Sequence, residues 1–341
     1  MSDGFETFHE AYIASLRSVY DEPQFFNAPR GFRSRERLSM AFTIANPRER
    51  VPHLRARRLN IVFNFAESLW YLSGRDDLEF IAHYAPTIRR YSADALSLAG
   101  TAYGRRIFRY GRGGLNQWRQ VVRVLRDDPD SKRAVIQIFD PDELRDESNV
   151  DVACTLALQF LVRAGRLHAV VFMRANDAYR GMVSDVFSFT FLQETMACEL
   201  GLDLGSYHHH VGSVHIYEPD LPRVEAVLEE AAAPGPGPEH GFPAMPRRDN
   251  RGDFRVVLEW EEALRRNATR LVPSQLAATG VDPYWQQVLM LLEAHREVVA
   301  DGSVDAATFS ALDPFYQYIL AHRWPVAEPG RAGLSSAGPR R

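Results

Sequence analysis

The sequence predicts an α+β fold, a mixed sheet packed with helices, and three observations carry that prediction. The runs LALQFLV at 156–162 and LHAVVFM at 167–173 are apolar and β-branched, and a link through Ala164-Gly165 joins them as a hairpin. Residues 60–74, NIVFNFAESLWYLSG, are apolar almost all round, the pattern of a buried helix rather than a surface one. Strands and helices do not alternate with the regularity of βαβ units, which sets the chain apart from the α/β class.

Taken in chain order, the helix over 60–74 stops at Gly74, and Glu67 is the only charged side chain between Ile61 and Leu72. A second helix is expected over 115–126, where Leu115, Trp118, Val122 and Leu125 recur at helical spacing before the DDPD turn. AVIQIF at 134–139 reads as a strand and leads to the hairpin. A long helix begins near Ser184 and ends before Gly201. Residues 1–230 are expected to form the main core. Residues 231–254 hold proline, glycine and charge without periodicity and read as a loop or linker. Residues 255–328 are expected as a strand and helical extension of the same domain, a helical C-terminal appendage with helices over 284–299 and 305–322. Residues 329–341 read as a disordered tail. No internal repeat of 20 to 50 residues is present.

With 341 residues, 45% of them hydrophobic and 11% aromatic, the chain can bury a sizeable core. The formal net charge is −4, so no global field argues for nucleic acid, although residues 30–58 gather nine arginines against Glu36 and Glu49. Two cysteines, Cys154 and Cys198, give no disulfide framework and suit a reducing cytoplasm. No signal peptide and no membrane-spanning run are expected, so the reading is a soluble cytoplasmic protein.

Several residues invite chemistry. Lys132, in DDPDSKRAVIQIFD, is the only lysine among 40 basic side chains and directly precedes Arg133. Cys154 opens a strand, and the partner strand of the hairpin ends in MRAND, so Arg174 and Asp177 return toward it. An arginine beside a thiol favours the thiolate. Glu67, a carboxylate in an apolar helix, either pairs with a cation or lines a cavity, and desolvation would suit it to proton transfer. YHHHVGSVHIY at 207–217 is a weak metal candidate because adjacent strand side chains alternate in direction and no cysteine joins them, so no metal is expected. His215 and Tyr217, two apart, face one side of a strand and can bond one polar ligand together.

In order and spacing, DDPDSKRAVIQIFD, the Cys154 strand with Gln159, MRANDAYRGM and GSVHIY resemble the thymidylate synthase family over roughly residues 25–220. The resemblance implies a thymidylate synthase-like mixed sheet, Cys154 as nucleophile, Glu67 as catalytic glutamate and Tyr103 in TAYG as active-site tyrosine. It implies phosphate contacts from Arg174 and Arg30, with Arg33 as an alternative to Arg30. Two more cations, Lys132 and Arg133, would come from the other subunit of a homodimer. His215 and Tyr217 would hold the sugar, Asp177 would lie on the folate side, and 5,10-methylenetetrahydrofolate would be the co-substrate.

Departures from the family pattern are equally informative. Asp185 in GMVSDVFS stands where a synthase has the asparagine that reads uracil, and a carboxylate accepts from the cytosine amino group. Arg89 in PTIRRYS replaces a tryptophan near the folate, and SSAGPRR has no likeness to the synthase's closing tail. Lys132-Arg133 replaces an Arg-Arg pair, and Arg174-Ala175 an Arg-Ser pair. These changes resemble the CMP and dCMP 5-hydroxymethylases, of the type found in nucleoside antibiotic biosynthesis, and imply CMP as substrate with water completing the reaction. The alternatives are dCMP hydroxymethylation, thymidylate synthesis, or an RNA-binding scaffold with a dead site using the arginines at 30–58.

Overall fold

Residues 155–177 fold back on themselves to form the middle of a seven-stranded mixed sheet. The computed structural model describes residues 3–233, 235 and 237–327. Its strands are β1 (Asp3–Phe5), β2 (Phe25–Asn27), β3 (Ser34–Ile44), β4 (Val135–Gln137), β5 (Thr155–Arg163), β6 (Arg166–Asp177) and β7 (Asp203–Tyr217), in the order β1-β3-β7-β6-β5-β4 with β2 on β3. The β5–β6 hairpin closes at Arg163↔Arg166, and both turn residues are left-handed, Ala164 at φ 50° and Gly165 at φ 73°. That is the two-residue turn whose twist matches paired strands.

The helices are α1 (Phe8–Asp21), α2 (Ile61–Leu72), α3 (Leu78–Tyr84), α4 (Tyr103–Phe108), α5 (Gln117–Asp127), α6 (Met182–Leu200), α7 (Leu221–Ala232), α8 (Arg251–Arg265), α9 (Pro283–Asp301), α10 (Ala306–Ser310) and α11 (Pro314–Ala321). One feature lay outside the sequence reading: β6 and β7 are parallel, and α6 is the crossover between them. Leu167, Ala169, Val171 and Met173 turn one face of β6 into the core. Val135 and Phe172 stay exposed on the other face, where Phe172 stacks on His210 at 5.2 Å.

Within 231–254, expected as a loop or linker, residues 237–250 are an irregular loop packed on the core. Phe242 is buried, with its ring 5.8 Å from Phe187 and 5.3 Å from Phe315, and its N–H donates to Glu49 Oε1. Met245 is also buried, and α8 already begins at Arg251. Residues 237–250 are thus a strap pinned by two apolar side chains, which leaves no periodicity to read. The single helix expected over 305–322 is two, because Asp313 caps a new helix whose first residue is Pro314. The tail over 329–341 lies outside the described residues. Among those described, no helix is long and apolar enough to cross a membrane.

The buried charge pair between Arg50 and Glu194 anchors the strap to α6. Glu194 also accepts from Arg48 at 3.0 Å and from the Met245 N–H at 3.3 Å, while Arg50 lies over the Phe242 ring. Removing one partner strands the other charge in the core. Glu194→Ala is expected to cost about 3–5 kcal/mol in urea unfolding, and a loss below about 1 kcal/mol would show the pair to be solvated.

Candidate active site

Helices α2 and α6 face each other through small polar side chains set in aromatic walls. Ser184 Oγ donates to Asn64 Oδ1 at 2.9 Å, and Ser188 Oγ donates to Glu67 Oε2 at 3.0 Å. The Phe65 and Phe187 rings, 5.1 Å apart, close the seam below them. Glu67 has no cation beside it, and burial pushes its carboxyl up to about 8, with Asp185 adding to the rise and Ser188 opposing it. It holds a proton at neutral pH, and among the described residues no salt bridge reaches it, which sets the ion-pair reading aside.

Asp185 lies in the first turn of α6 and is half-buried. Its Oδ2 accepts from Asn176 Nδ2 at 2.7 Å. Burial raises this carboxyl to about 7, Asn176 opposes the rise, and the charge of Asp177 adds to it.

Cys154 is partly exposed just before β5. Arg174 Nη2 lies 3.7 Å from its Sγ, but the same guanidinium donates to the carbonyls of Ala153 at 2.8 Å and Val152 at 2.9 Å. Arg174 does act to lower the thiol, as expected, but it is not the larger influence. Burial outweighs Arg174 and Arg30, and the thiol lies above its ordinary value. Arg30, exposed at φ 54°, is near enough for its charge to favour the thiolate, whereas Arg33 is paired with Glu218 at 3.2 Å. Of the two candidates, the structure brings Arg30 to the cysteine.

Tyr103 begins α4 and accepts from the Thr155 N–H at 3.4 Å, one residue past the cysteine. Two devices hold it there. Gly104 packs against α2 so tightly that a Cβ would fall 2.4 Å from the Tyr71 carbonyl oxygen, and the Tyr71 and Tyr103 rings stack at 5.1 Å. Asp151 accepts from the N–H groups of Ala99, Gly100 and Thr101 and so ties the loop before α4 to the segment before Cys154.

At the far side, β6 and β7 align Asp177 with His215 and Ala175 with Ser213. Asp177 Oδ1 accepts from the N–H groups of Tyr179 and Arg180, while Oδ2 is buried without a partner. The His215 and Tyr217 rings meet at 5.0 Å, as same-face strand neighbours should. Arg89 is exposed on the short turn Pro86–Tyr91 and is not brought to the cysteine by any contact in the structure. Lys132 and Arg133 are exposed too, and the Lys132 carbonyl accepts from Gln159 Nε2. Gln159 is five residues up β5 from Cys154, roughly 17 Å at ~3.4 Å per residue, so these two cations do not reach the thiol of their own chain.

A family model described as thymidylate synthase matches residues 10–243. The chain belongs to the thymidylate synthase family. Its similar relatives include a deoxyuridylate hydroxymethyltransferase of Bacillus phage SP01, 32% identical over 222 residues, covering 62% of this chain and 57% of the relative. Another of the same name, from Pseudomonas phage M6, is 33% identical over 196 residues, covering 57% and 55%. A third, from Delftia phage PhiW-14, is 31% identical over 202 residues, covering 56% and 55%. This chain thus spans a little over half the length of the relatives it matches.

Sequence reasoning missed Asp151, Asn176 and Ser188, which carry no unusual local pattern. Asp151 had one legible signal, an acid three residues before the cysteine. The displaced carboxyl of Glu67 has a measurable consequence. Unfolded, it ionises near pH 4.5; folded, it keeps its proton to about 8, so the folded state binds more protons and this group's contribution to stability falls as pH rises through that window. Glu67→Gln is expected to gain on wild type by up to about 1.4 kcal/mol per pH unit between pH 5 and 8. Urea unfolding at each pH checks it, and parallel stability curves would contradict it.

Proposed function

We propose that this chain is a cytidylate 5-hydroxymethylase that transfers a one-carbon unit from 5,10-methylenetetrahydrofolate to C5 of CMP. The observation that supports it most is Asp185, a carboxyl whose charge acts on both Glu67 and Cys154 and of which only Oδ2 is hydrogen-bonded among the described residues. At a pKa near 7 it serves cytosine in either form, accepting from the 4-amino group when ionised and also donating to N3 when neutral. The folate fits the residues present. The unpartnered Asp177 Oδ2 is an acceptor for pterin N–H groups, and Arg57, stacked on Tyr179, lies with Arg58 and Arg323 where no carboxylate pairs with them, suiting an anionic tail.

In this mechanism the Cys154 thiolate adds to C6 and the ring electrons make C5 nucleophilic. C5 bonds to the one-carbon unit, the C5 proton is lost, and the folate amine departs to leave an exocyclic methylene. Water adds to that carbon, the Sγ–C6 bond breaks, and the C5–C6 double bond returns. Glu67 and Tyr103 share the proton transfers. Phosphate binding falls to Arg30 and Arg174 in one subunit and to Lys132 and Arg133 of the other, and the sugar to His215 and Tyr217. A homodimer through the sheet face bearing Val135 and Phe172 supplies the two distant cations. Arg89 replaces an aromatic wall with a solvated charge, which favours water over hydride.

The names of the phage relatives favour a second reading, hydroxymethylation of dUMP. Incubating the protein with CMP, dCMP or dUMP and 5,10-methylenetetrahydrofolate separates the two. The expected product is 5-hydroxymethyl-CMP by mass spectrometry, with turnover abolished in Cys154→Ser while nucleotide binding holds. Product from dUMP alone establishes the second reading. Ribose preference is assigned to Lys132 and Ala175, a point charge in place of a planar fork and a missing hydroxyl at the sugar end. In Lys132→Arg with Ala175→Ser, the CMP to dCMP ratio of kcat/KM is expected to fall about tenfold. An unchanged ratio would return both positions to neutrality.

A further inference from the structure

Behind Asp185 runs a line of buried hydrogen bonds that the catalytic scheme does not use. Asn176 Nδ2 donates to Asp185 Oδ2 at 2.7 Å, His209 Nε2 lies 3.1 Å from Asn176 Oδ1, and the Tyr207 hydroxyl lies 2.8 Å from His209 Nδ1. Asn176, His209 and Tyr207 are all buried, and the line spans β6, β7 and α6. Its direction follows from its far end. The Tyr207 hydroxyl has no other hydrogen-bond partner among the described residues, so its proton goes to Nδ1. A neutral imidazole that accepts at Nδ1 carries its proton on Nε2. That proton goes to Asn176 Oδ1, which turns the amide N–H toward Asp185. Burial keeps His209 neutral by lowering it to about 3.

We propose that Tyr207, His209 and Asn176 form a positioning relay that holds Asp185 Oδ2 as an acceptor and makes Oδ1 the atom that carries a proton toward the base. The inference rests on the cytidylate reading, since a fixed acceptor beside a donor matches the 4-amino group and N3 of cytosine. Oδ1 itself makes no hydrogen bond within the described residues, so no protein group competes for its proton. The relay also explains why a carboxyl is retained at this position. With the amide N–H committed to Oδ2, residue 185 must offer an acceptor inward, and only an acid can then present either a donor or an acceptor outward. Other ionisable groups around Asp185 are Glu67 and Tyr71 of α2, Tyr103 of α4, Cys154 before β5 and Asp177 at the end of β6. Among the described residues none of the first four hydrogen-bonds it, and of the five only Asp177 adds appreciably to its shift.

His209→Gln keeps an Nε2 donor for Asn176, and His209→Leu removes it. For CMP, His209→Leu is expected to raise KM about tenfold with kcat within about twofold and to erase the preference for CMP over UMP in competition binding, while His209→Gln behaves as wild type. Both variants are first shown to unfold cooperatively. If the two are indistinguishable in KM and in base preference, the line is structural only and the proposal fails. Titrating the Asp185 carboxyl in ligand-free protein, by infrared difference against the matching Asp185→Asn variant, is independent of substrate. His209→Leu is expected to shift that titration upward by at least half a unit and His209→Gln to leave it in place. An unmoved titration in His209→Leu overturns the relay. A moved titration without cytidylate binding in the wild type overturns the cytidylate reading and leaves the relay standing.

Discussion

The rest of the site depends on keeping two carboxyl groups, Glu67 and Asp185, away from water without giving either a cation. The α2–α6 seam and the end of β6 do this with a hydroxyl and an amide, Ser188 for Glu67 and Asn176 for Asp185, beside aromatic walls. A neighbouring arginine would stabilise the anions and remove their ability to exchange a proton near neutral pH. The arginines are placed elsewhere. Arg50 is spent on Glu194 at the other end of α6, and Arg174 is turned to the Val152 and Ala153 carbonyls.

That arrangement decides how the cysteine must work. Its thiol is raised by burial in the ligand-free protein, because one guanidinium shared with two carbonyls does not offset the lost hydration. Asp151 matters here as well. By tying the loop at 99–101 to the segment before Cys154, it makes the tyrosine and the cysteine move as one unit.

What was legible in the sequence was whatever breaks a local pattern. Glu67 stands out as a lone charge in an apolar helix, and Cys154 and Arg174 fall at the ends of two strands whose hairpin turn is itself readable from Ala164-Gly165. The parallel pairing of β6 with β7 was not readable, because one crossover helix between two strands leaves no repeated alternation. That the loop within 231–254 is anchored was not readable, because its anchoring depends on two isolated side chains, Phe242 and Met245, and on the core that receives them. The His208-His209-His210 run illustrates the same limit. Its conspicuous composition does not say where each ring goes: His208 bonds Ser206 and Thr43, His209 bonds Tyr207 and Asn176, and His210 stacks on Phe172, three unrelated environments set by strand alternation.

Strand geometry also constrains the position of the lone lysine. β4 pairs β5 antiparallel with Val135 opposite Gln159, so the chain before β4 runs away from Cys154 with every residue, and Lys132 lies still further up the sheet. No side-chain rotamer spans that gap. Any use of Lys132 or Arg133 beside Cys154 therefore requires a second copy, and the sheet face carrying the exposed Val135 and Phe172 is the surface proposed for it. Across such an interface an ammonium on a flexible stem needs only distance, whereas a guanidinium fork needs orientation as well. On the dimeric reading proposed above, the one lysine in an arginine-rich chain would sit at a contact where one chain does not control both ends of the geometry.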